Sequence, residues 1–488
     1  MSGFFGVVSK QDCLADLFYG TDYHSHLGAR RGGMAVHGKQ GFHRYIHDIS
    51  SALFRSKFHT DVTRMAGNKG IGVISDYDDQ PLIVSSRLGT YAIVTVGSVA
   101  NLSDLVECSY HDHQVHFSHM NDGQVNPTEL IASLINQGDS FAEGIRFAQE
   151  AITGSCSMML LTPDAVYAAR DRYGRTPIVI GTKSDSVAAS FESCALPNLG
   201  YSHTRDLGPG EIVRLTENGD ETLRPADDEL HVCAFLWIYY GFPASTYEGI
   251  NVEESRYRSG ARLADRDRDK VQVDYVTGVP DSGTGHGLGY AHAAHLPFKR
   301  PFIKYTPTWS RSFIPPVQSM REMVARMKLI PIPEMIRGQR LLFCDDSIVR
   351  GTQLRDTTSM LYHYGAREVH VRVACPPILF GCPYLNFSRS HSPLELAGRR
   401  AIFEITGKSD DETARRFADP DSAEYETMLN SMTRKLGLTS LRFQRLDDLI
   451  EAIGLPKFKL CTHCWDGEDR SRSCETCPAR NATAEAQP

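Results

Sequence analysis

Leu341-Leu342-Phe343-Cys344-Asp345-Asp346-Ser347-Ile348-Val349-Arg350-Gly351-Thr352 is the stretch that decides the fold. Its apolar start reads as a buried strand that delivers two adjacent carboxylates into a short loop, and a helix opens beyond the loop. Carboxylates in that place suit ribose hydroxyls and a Mg²⁺ held by oxygen ligands. The backbone N–H groups that follow, at a helix N-terminus, suit a phosphate. Sugar hydroxyls, a divalent metal and a phosphate in one loop describe phosphoribosyl pyrophosphate (PRPP) as the expected ligand. Helix capping alone would need neither two acids nor the Ser, Gly and Thr that accompany them.

The same rhythm extends on both sides. A strand is expected over 271–276, then a Gly-rich loop over 278–289 and a small-residue helix near 290–295. Downstream, a helix over 353–364 carries Leu354, Thr358 and Leu361 on one face and stops at Gly365, and a strand follows over 368–374. Strands alternating with helices predict a parallel sheet whose C-terminal edge holds the site. The Gly-rich loop, Pro280-Asp281-Ser282-Gly283-Thr284-Gly285-His286-Gly287, adds hydroxyls and backbone that a ligand approaches closely. Before about residue 230 the pattern differs. Short strands are expected over 155–162, 165–169 and 176–180, with Arg172-Tyr173-Gly174-Arg175 as a turn. The acidic, Pro-containing stretch 217–229 marks a boundary, so the regions expected are 1–230, 231–455 and a Cys-rich segment, 456–488.

A chain of 488 residues is too long for one ordinary core, in keeping with several domains. Its net charge of −7 offers no global attraction for nucleic acid or an acidic membrane. Residues 1–10 lack a basic n-region and a long apolar run, and no segment has the length of a transmembrane helix. A soluble, cytoplasmic protein is expected. Twelve cysteines without a secretion signal argue for metal ligands more than for disulfides. Cys13, Cys108, Cys156, Cys194, Cys344 and Cys375 stand singly and read as buried small hydrophobes. Cys461-x-x-Cys464 has metal-type spacing.

The wording Asp-Asp-Ser-Ile-Val-Arg-Gly-Thr at 345–352 resembles the PRPP loop of type I phosphoribosyltransferases, and specifically that of amidophosphoribosyltransferases. The 280–291 segment resembles the pyrophosphate loop of the same family. That resemblance implies PRPP binding by Asp281, Ser282, Lys304, Arg311, Asp345, Asp346, Ser347, Val349, Arg350, Gly351 and Thr352, with Mg²⁺ at Ser282, Asp345 and Asp346. Arg311-Ser312-Phe313-Ile314 matches the family's Arg-Thr-Phe-Ile. The loop before it reads Tyr305-Thr306-Pro307-Thr308-Trp309, one residue longer than the family's usual Asn-Arg-Tyr form.

The resemblance also selects cysteines. Cys233 opens Cys-Ala-Phe-Leu-Trp-Ile-Tyr-Tyr, like the family's Cys-x-Phe-Glu-x-x-Tyr. Cys382 follows Pro376-Pro377-Ile378, like the family's Pro-Pro-Ile segment ending in Cys. In the cluster-bearing branch of the family, Cys233, Cys382, Cys461 and Cys464 would hold a structural [4Fe–4S] cluster. The alternative is a zinc ribbon built from Cys461, Cys464, Cys474 and Cys477, since four thiolates suit either metal.

Residues 1–215 resemble the glutaminase half of the family in Arg170-Asp171-Arg172-Tyr173-Gly174, Ser190-Phe191-Glu192-Ser193-Cys194-Ala195-Leu196 and Pro209-Gly210-Glu211-Ile212-Val213. The implied fold is an N-terminal-nucleophile hydrolase αββα sandwich, in which an N-terminal cysteine uses its own amine as base. Here Ser2 stands in that place. The family's oxyanion-hole Asn-Gly is Val96-Gly97, its His-Arg-Gly-Gln-Glu is His26-Leu27-Gly28-Ala29-Arg30, and no arginine lies between Arg64 and Arg87. One lost oxyanion donor typically costs about 10²–10³ in rate. The expected activity is therefore formation of 5-phosphoribosylamine from PRPP, the first step of purine biosynthesis, fed by free or partner-delivered ammonia. Family membership implies a homodimer or homotetramer and regulation by purine nucleotides. The competing readings are a PRPP-binding regulatory pseudoenzyme and an amidohydrolase using Ser2.

Overall fold

In a computed structural model, the protein is described for residues 2–28, 30–76, 78–113, 116–121, 123–267, 271–304, 329–385 and 392–468. The N-terminal half is built on two antiparallel sheets. The seven-stranded sheet runs Ser202–Asp206, Val179–Lys183, Ser186–Ser190, Gly3–Ser9, Lys69–Ser75, Arg31–Gly38, Gly41–Asp48. The six-stranded sheet runs Gly219–Arg224, Ile212–Thr216, Val166–Ala169, Gly154–Leu161, Gly89–Val99, Leu82–Ser86.

Alternation along the strands explains the layering, because successive side chains point to opposite faces. Phe4 and Val8 enter the core between the sheets with Ala92, Val94, Met159 and Leu161. Phe5 and Val7 face the other way, into a layer covered by helices Leu14–Asp22 and Phe54–Val62. Ile93, Met158 and Leu160 likewise face helices Pro127–Ile135 and Phe141–Ala151. Helix, sheet, sheet and helix thus stack in four layers.

The C-terminal half holds a four-stranded parallel sheet in the order Tyr275–Gly278, Arg340–Asp345, Glu368–Val373, Ser440–Phe443. Leu341 to Cys344 are wholly buried, as a parallel strand covered on both faces must be. Leu342 and Cys344 pack against helices Val252–Asp267 and Thr284–Ala293, while Leu341 and Phe343 enter the core on the other face. Helix Thr352–His363 buries Leu354, Thr358 and Leu361, and Gly365 follows it at φ +87°, as the sequence indicates.

Three elements differ from expectation, the first being the strand expected over 271–276, which runs Tyr275–Gly278 instead. The strand expected over 176–180 begins only at Val179, because Thr176 N and Oγ1 donate to Asp171 Oδ2 at 2.9 and 3.0 Å and prolong the turn. The Gly-rich segment is mostly helix, Thr284–Ala293, rather than loop. Its glycines serve packing: a Cβ at Gly289 would stand 1.9 Å from the Tyr257 carbonyl oxygen on the neighbouring helix.

Candidate active site

Two loops meet at the carboxyl ends of adjacent parallel strands. Gly278 lies opposite Cys344 in register, and Val279 N donates to the Cys344 carbonyl at 2.9 Å. Gly283 completes the seam. A Cβ there would sit 2.1 Å from that same carbonyl oxygen, so only glycine permits this approach. The seam carries Ser282 to Asp345, where its Oγ donates to Oδ1 at 3.4 Å. Asp346 N donates to the same oxygen at 3.0 Å, and Ser347 Oγ donates to Asp346 Oδ1 at 2.5 Å. Asp281, before Ser282, holds φ +69°, a conformation rare outside glycine and found often where a loop is shaped for a ligand.

Burial raises the carboxyls of both Asp345 and Asp346, and each acid's proximity to the other's charge adds to the effect at Asp345. Hydrogen bonds from Ser347 and Ser282 and the charge of Arg256 oppose the rise at Asp346. Arg256 was not picked out from the sequence. It is 3% exposed, and its guanidinium donates to the carbonyls of Trp237, Tyr239 and Gly241 at 3.1, 3.0 and 2.9 Å. It thereby satisfies a π-helical turn, Leu236–Tyr240, while placing positive charge behind the acids. The sequence signal for it is a cation amid the otherwise buried positions Val252, Ser255, Ser259 and Gly260 of one helix.

The structure brings Asp281, Ser282, Asp345, Asp346 and Ser347 together, and Lys304 joins them through an ion pair with Asp281. Gly351, at φ +77°, precedes helix Thr352–His363, and Val349 offers its carbonyl to Ala397 N. Arg350 does not join the group: its guanidinium meets Glu395 at 2.6 Å. Arg311 and the loop 305–309 lie outside the described residues, as do Cys474 and Cys477.

In the N-terminal half, Ser2 is half-buried and its Oγ donates to Ser75 Oγ at 3.4 Å. The strand ending at Ser75 continues into acidic Asp76, Asp78 and Asp79. Arg31 pairs opposite Ser75, but its guanidinium is held at 2.8 Å by both Asp48 and Asp79. Val96 is buried in the core between the sheets and offers only an isopropyl group. His26 Nε2 meets Glu192 Oε1 at 2.8 Å instead of facing a substrate.

The cysteines form a second constellation. Val232–Cys233 pairs in parallel with Leu460–Cys461, aligning Cys233 with Cys461. Leu379 N and Phe380 N donate to the Cys464 carbonyl at 3.0 and 3.1 Å, which brings up the segment bearing Cys382. Cys233, Cys382, Cys461 and Cys464 line one cavity with Arg175, Phe235, Tyr384, Leu385 and Trp465. All four are free thiols. The Cys464 thiol and the Leu385 amide lower Cys382 below the usual thiol range, while burial raises Cys461 to about 11. Among the described residues, no three His, Cys, Asp or Glu side chains close around a single-ion position. No helix among them is long and apolar enough to cross a membrane.

Fold and site together define a class: an N-terminal-nucleophile hydrolase sandwich followed by a type I phosphoribosyltransferase sheet. Comparison with known proteins narrows it. A glutamine amidotransferase domain profile matches residues 69–198. An amidophosphoribosyltransferase of Archaeoglobus fulgidus is 36% identical over 67% of this chain and 70% of its own length. One of Methanocaldococcus jannaschii is 27% identical over 96% of this chain and 97% of its own. The solved glutamine PRPP amidotransferase of Bacillus subtilis, complexed with ADP and GMP, superposes with a TM-score of 0.81 at 25% identity, covering 96% and 97% of the two chains. The chain belongs to the amidophosphoribosyltransferase family.

Proposed function

We propose that this chain joins ammonia to C1 of PRPP, forming 5-phosphoribosylamine and releasing pyrophosphate, and that it does not draw the ammonia from glutamine. The observation that carries the transferase reading is the seam of two loops at which Ser282 donates to Asp345 beside Asp346. Ser282, Asp345 and Asp346 would hold Mg²⁺ through oxygen donors, and the ion would supply positive charge for the departing pyrophosphate. The backbone of Asp281, Ser282 and Gly283 surrounds the pyrophosphate, with Lys304 and Arg311 as its cations. Ser347 to Thr352 hold the 5-phosphate at a helix N-terminus. Ammonia is itself a good nucleophile, so alignment and exclusion of water suffice and no general base is required.

The glutaminase half supports the second clause. An amide substrate there would meet Ser2 in place of a thiol, Val96 in place of a donor, and an arginine already neutralised by two carboxylates. The four cysteines fit a [4Fe–4S] cluster, since four thiols around a shared cavity, two buried and two half-buried, suit a polynuclear group better than one ion. Residues 1–230, 231–455 and 456–488 then serve as glutaminase-like, transferase and cysteine-bearing regions of a cytoplasmic homo-oligomer open to purine-nucleotide control.

Pyrophosphate release with PRPP and Mg²⁺ tests the proposal, with ammonium and glutamine as alternative donors. Turnover with ammonium and not with glutamine is expected. Equal turnover with glutamine, lost in Ser2→Ala, would restore an active amidohydrolase half. PRPP binding without turnover under either condition would make the protein a regulatory binder.

A further inference from the structure

Arg175 comes from the N-terminal half, yet its side chain reaches the cysteine cavity. It is 1% exposed. Nη1 donates to the Gly154 carbonyl at 2.9 Å, and the guanidinium lies 3.7 Å from the centre of the Tyr384 ring and 4.7 Å from that of Tyr173. Nε has no hydrogen-bond partner among the described residues, and no carboxylate among them lies within ion-pair distance of this guanidinium. A buried cation so placed is costly unless a negative group answers it. The aromatic faces answer part of the charge. The remaining candidates are the thiols that line the same cavity, Cys233, Cys382, Cys461 and Cys464.

We propose that Arg175 is the counter-charge of the four-cysteine site, an electrostatic partner that stabilises the thiolate-bound cluster and raises its reduction potential. The proposal rests on the reading that these cysteines hold an iron–sulfur cluster. Four thiolates give such a cluster net negative charge, and each added electron deepens it. A buried cation beside it therefore favours the reduced state. Because the cation comes from the N-terminal, glutaminase-like half and the cysteines from the C-terminal half, the pairing also ties the glutaminase-like domain to the cofactor site.

The test uses full-length protein purified anaerobically, with iron and sulfide assayed and the cluster midpoint titrated by electron paramagnetic resonance. Arg175→Gln and Arg175→Met should disfavour reduction about tenfold, a shift of roughly 59 mV to more negative potential for one electron. Arg175→Lys keeps the charge and should hold the wild-type midpoint. A purely structural role would lower stability in all three variants without this pattern. Neutral variants with the wild-type midpoint overturn the proposal. So does a lysine variant displaced by the full tenfold, which decides the matter even where the neutral variants do not fold. Wild-type protein without iron and sulfide overturns the cluster reading and the counter-charge with it, whereas an intact cluster with an unmoved midpoint overturns the role of Arg175 alone.

Discussion

The unfolded chain ionises Asp345 and Asp346 in the ordinary carboxylate range, whereas burial delays their ionisation in the folded protein. As pH rises from that range to the folded values, the ligand-free protein loses stability, and above them the cost is constant. On the proposed function, a divalent cation between the acids would remove the penalty, so protons would compete with metal and PRPP–Mg²⁺ affinity should fall as pH is lowered. Asp345→Asn separates the two consequences. It should raise the melting temperature of the ligand-free protein at neutral pH, yet cut PRPP turnover by about 10²-fold or more. A lowered melting temperature, or turnover within a few-fold of wild type, would speak against this assignment. The pairing of these acids was legible in sequence because both lie side by side in one short loop. Arg256, Arg175 and Glu192 were not, since each gains its meaning from a partner on another element, brought near only by folding.

At the scale of elements, the strand–loop–helix order was readable from Leu341 onward, but the Gly-rich segment was not. Glycine disfavours a helix interior by about 1 kcal/mol relative to alanine, so Gly285, Gly287 and Gly289 read as loop. Close packing of the Val252–Asp267 and Thr284–Ala293 helices overrides that preference. Gly260 makes the same concession from the other side, where a Cβ would stand 1.9 Å from the His286 carbonyl oxygen. Gly283 is the position at which this packing meets the chemistry. In Gly283→Ala the new methyl collides with the backbone carbonyl of Cys344, which has no rotamer by which to escape. The loops must part, costing about 1–3 kcal/mol and moving Ser282 from Asp345. Chemical denaturation should register the loss, and the KM for PRPP should rise more than kcat falls. An unchanged KM would mean that the seam does not set the distance between the loops.

Across the whole molecule, the two halves share buried polar structure as well as apolar core, and its centre is Glu192. Its carboxylate is fully buried. It accepts from His26 Nε2 at 2.8 Å, Phe242 N at 3.3 Å, Ser245 Oγ at 2.5 Å and Tyr247 OH. The Glu192 N–H in turn donates to His24 Nε2 at 3.1 Å, while His24 Nδ1 donates to the Gly20 carbonyl. That tautomer agrees with burial holding His24 down at about 4, uncharged. Burial alone would raise Glu192, but His26, Ser245 and Tyr247 outweigh it and keep the carboxylate below its ordinary range. The stabilisation is therefore complete above the unfolded carboxylate value and is lost as pH falls through the lower folded one. The sequence placed Glu192 only within Ser-Phe-Glu-Ser, with nothing to show that residues fifty positions onward would donate to it. Glu192→Ala leaves several donors buried without an acceptor and should cost about 3–5 kcal/mol. Because those donors lie on both sides of the junction, calorimetry should resolve two unfolding transitions where the wild type gives one, with ammonium-dependent turnover retained below the first. A single transition merely shifted to lower temperature would mean that the apolar core, and not this carboxylate, makes the halves unfold as one.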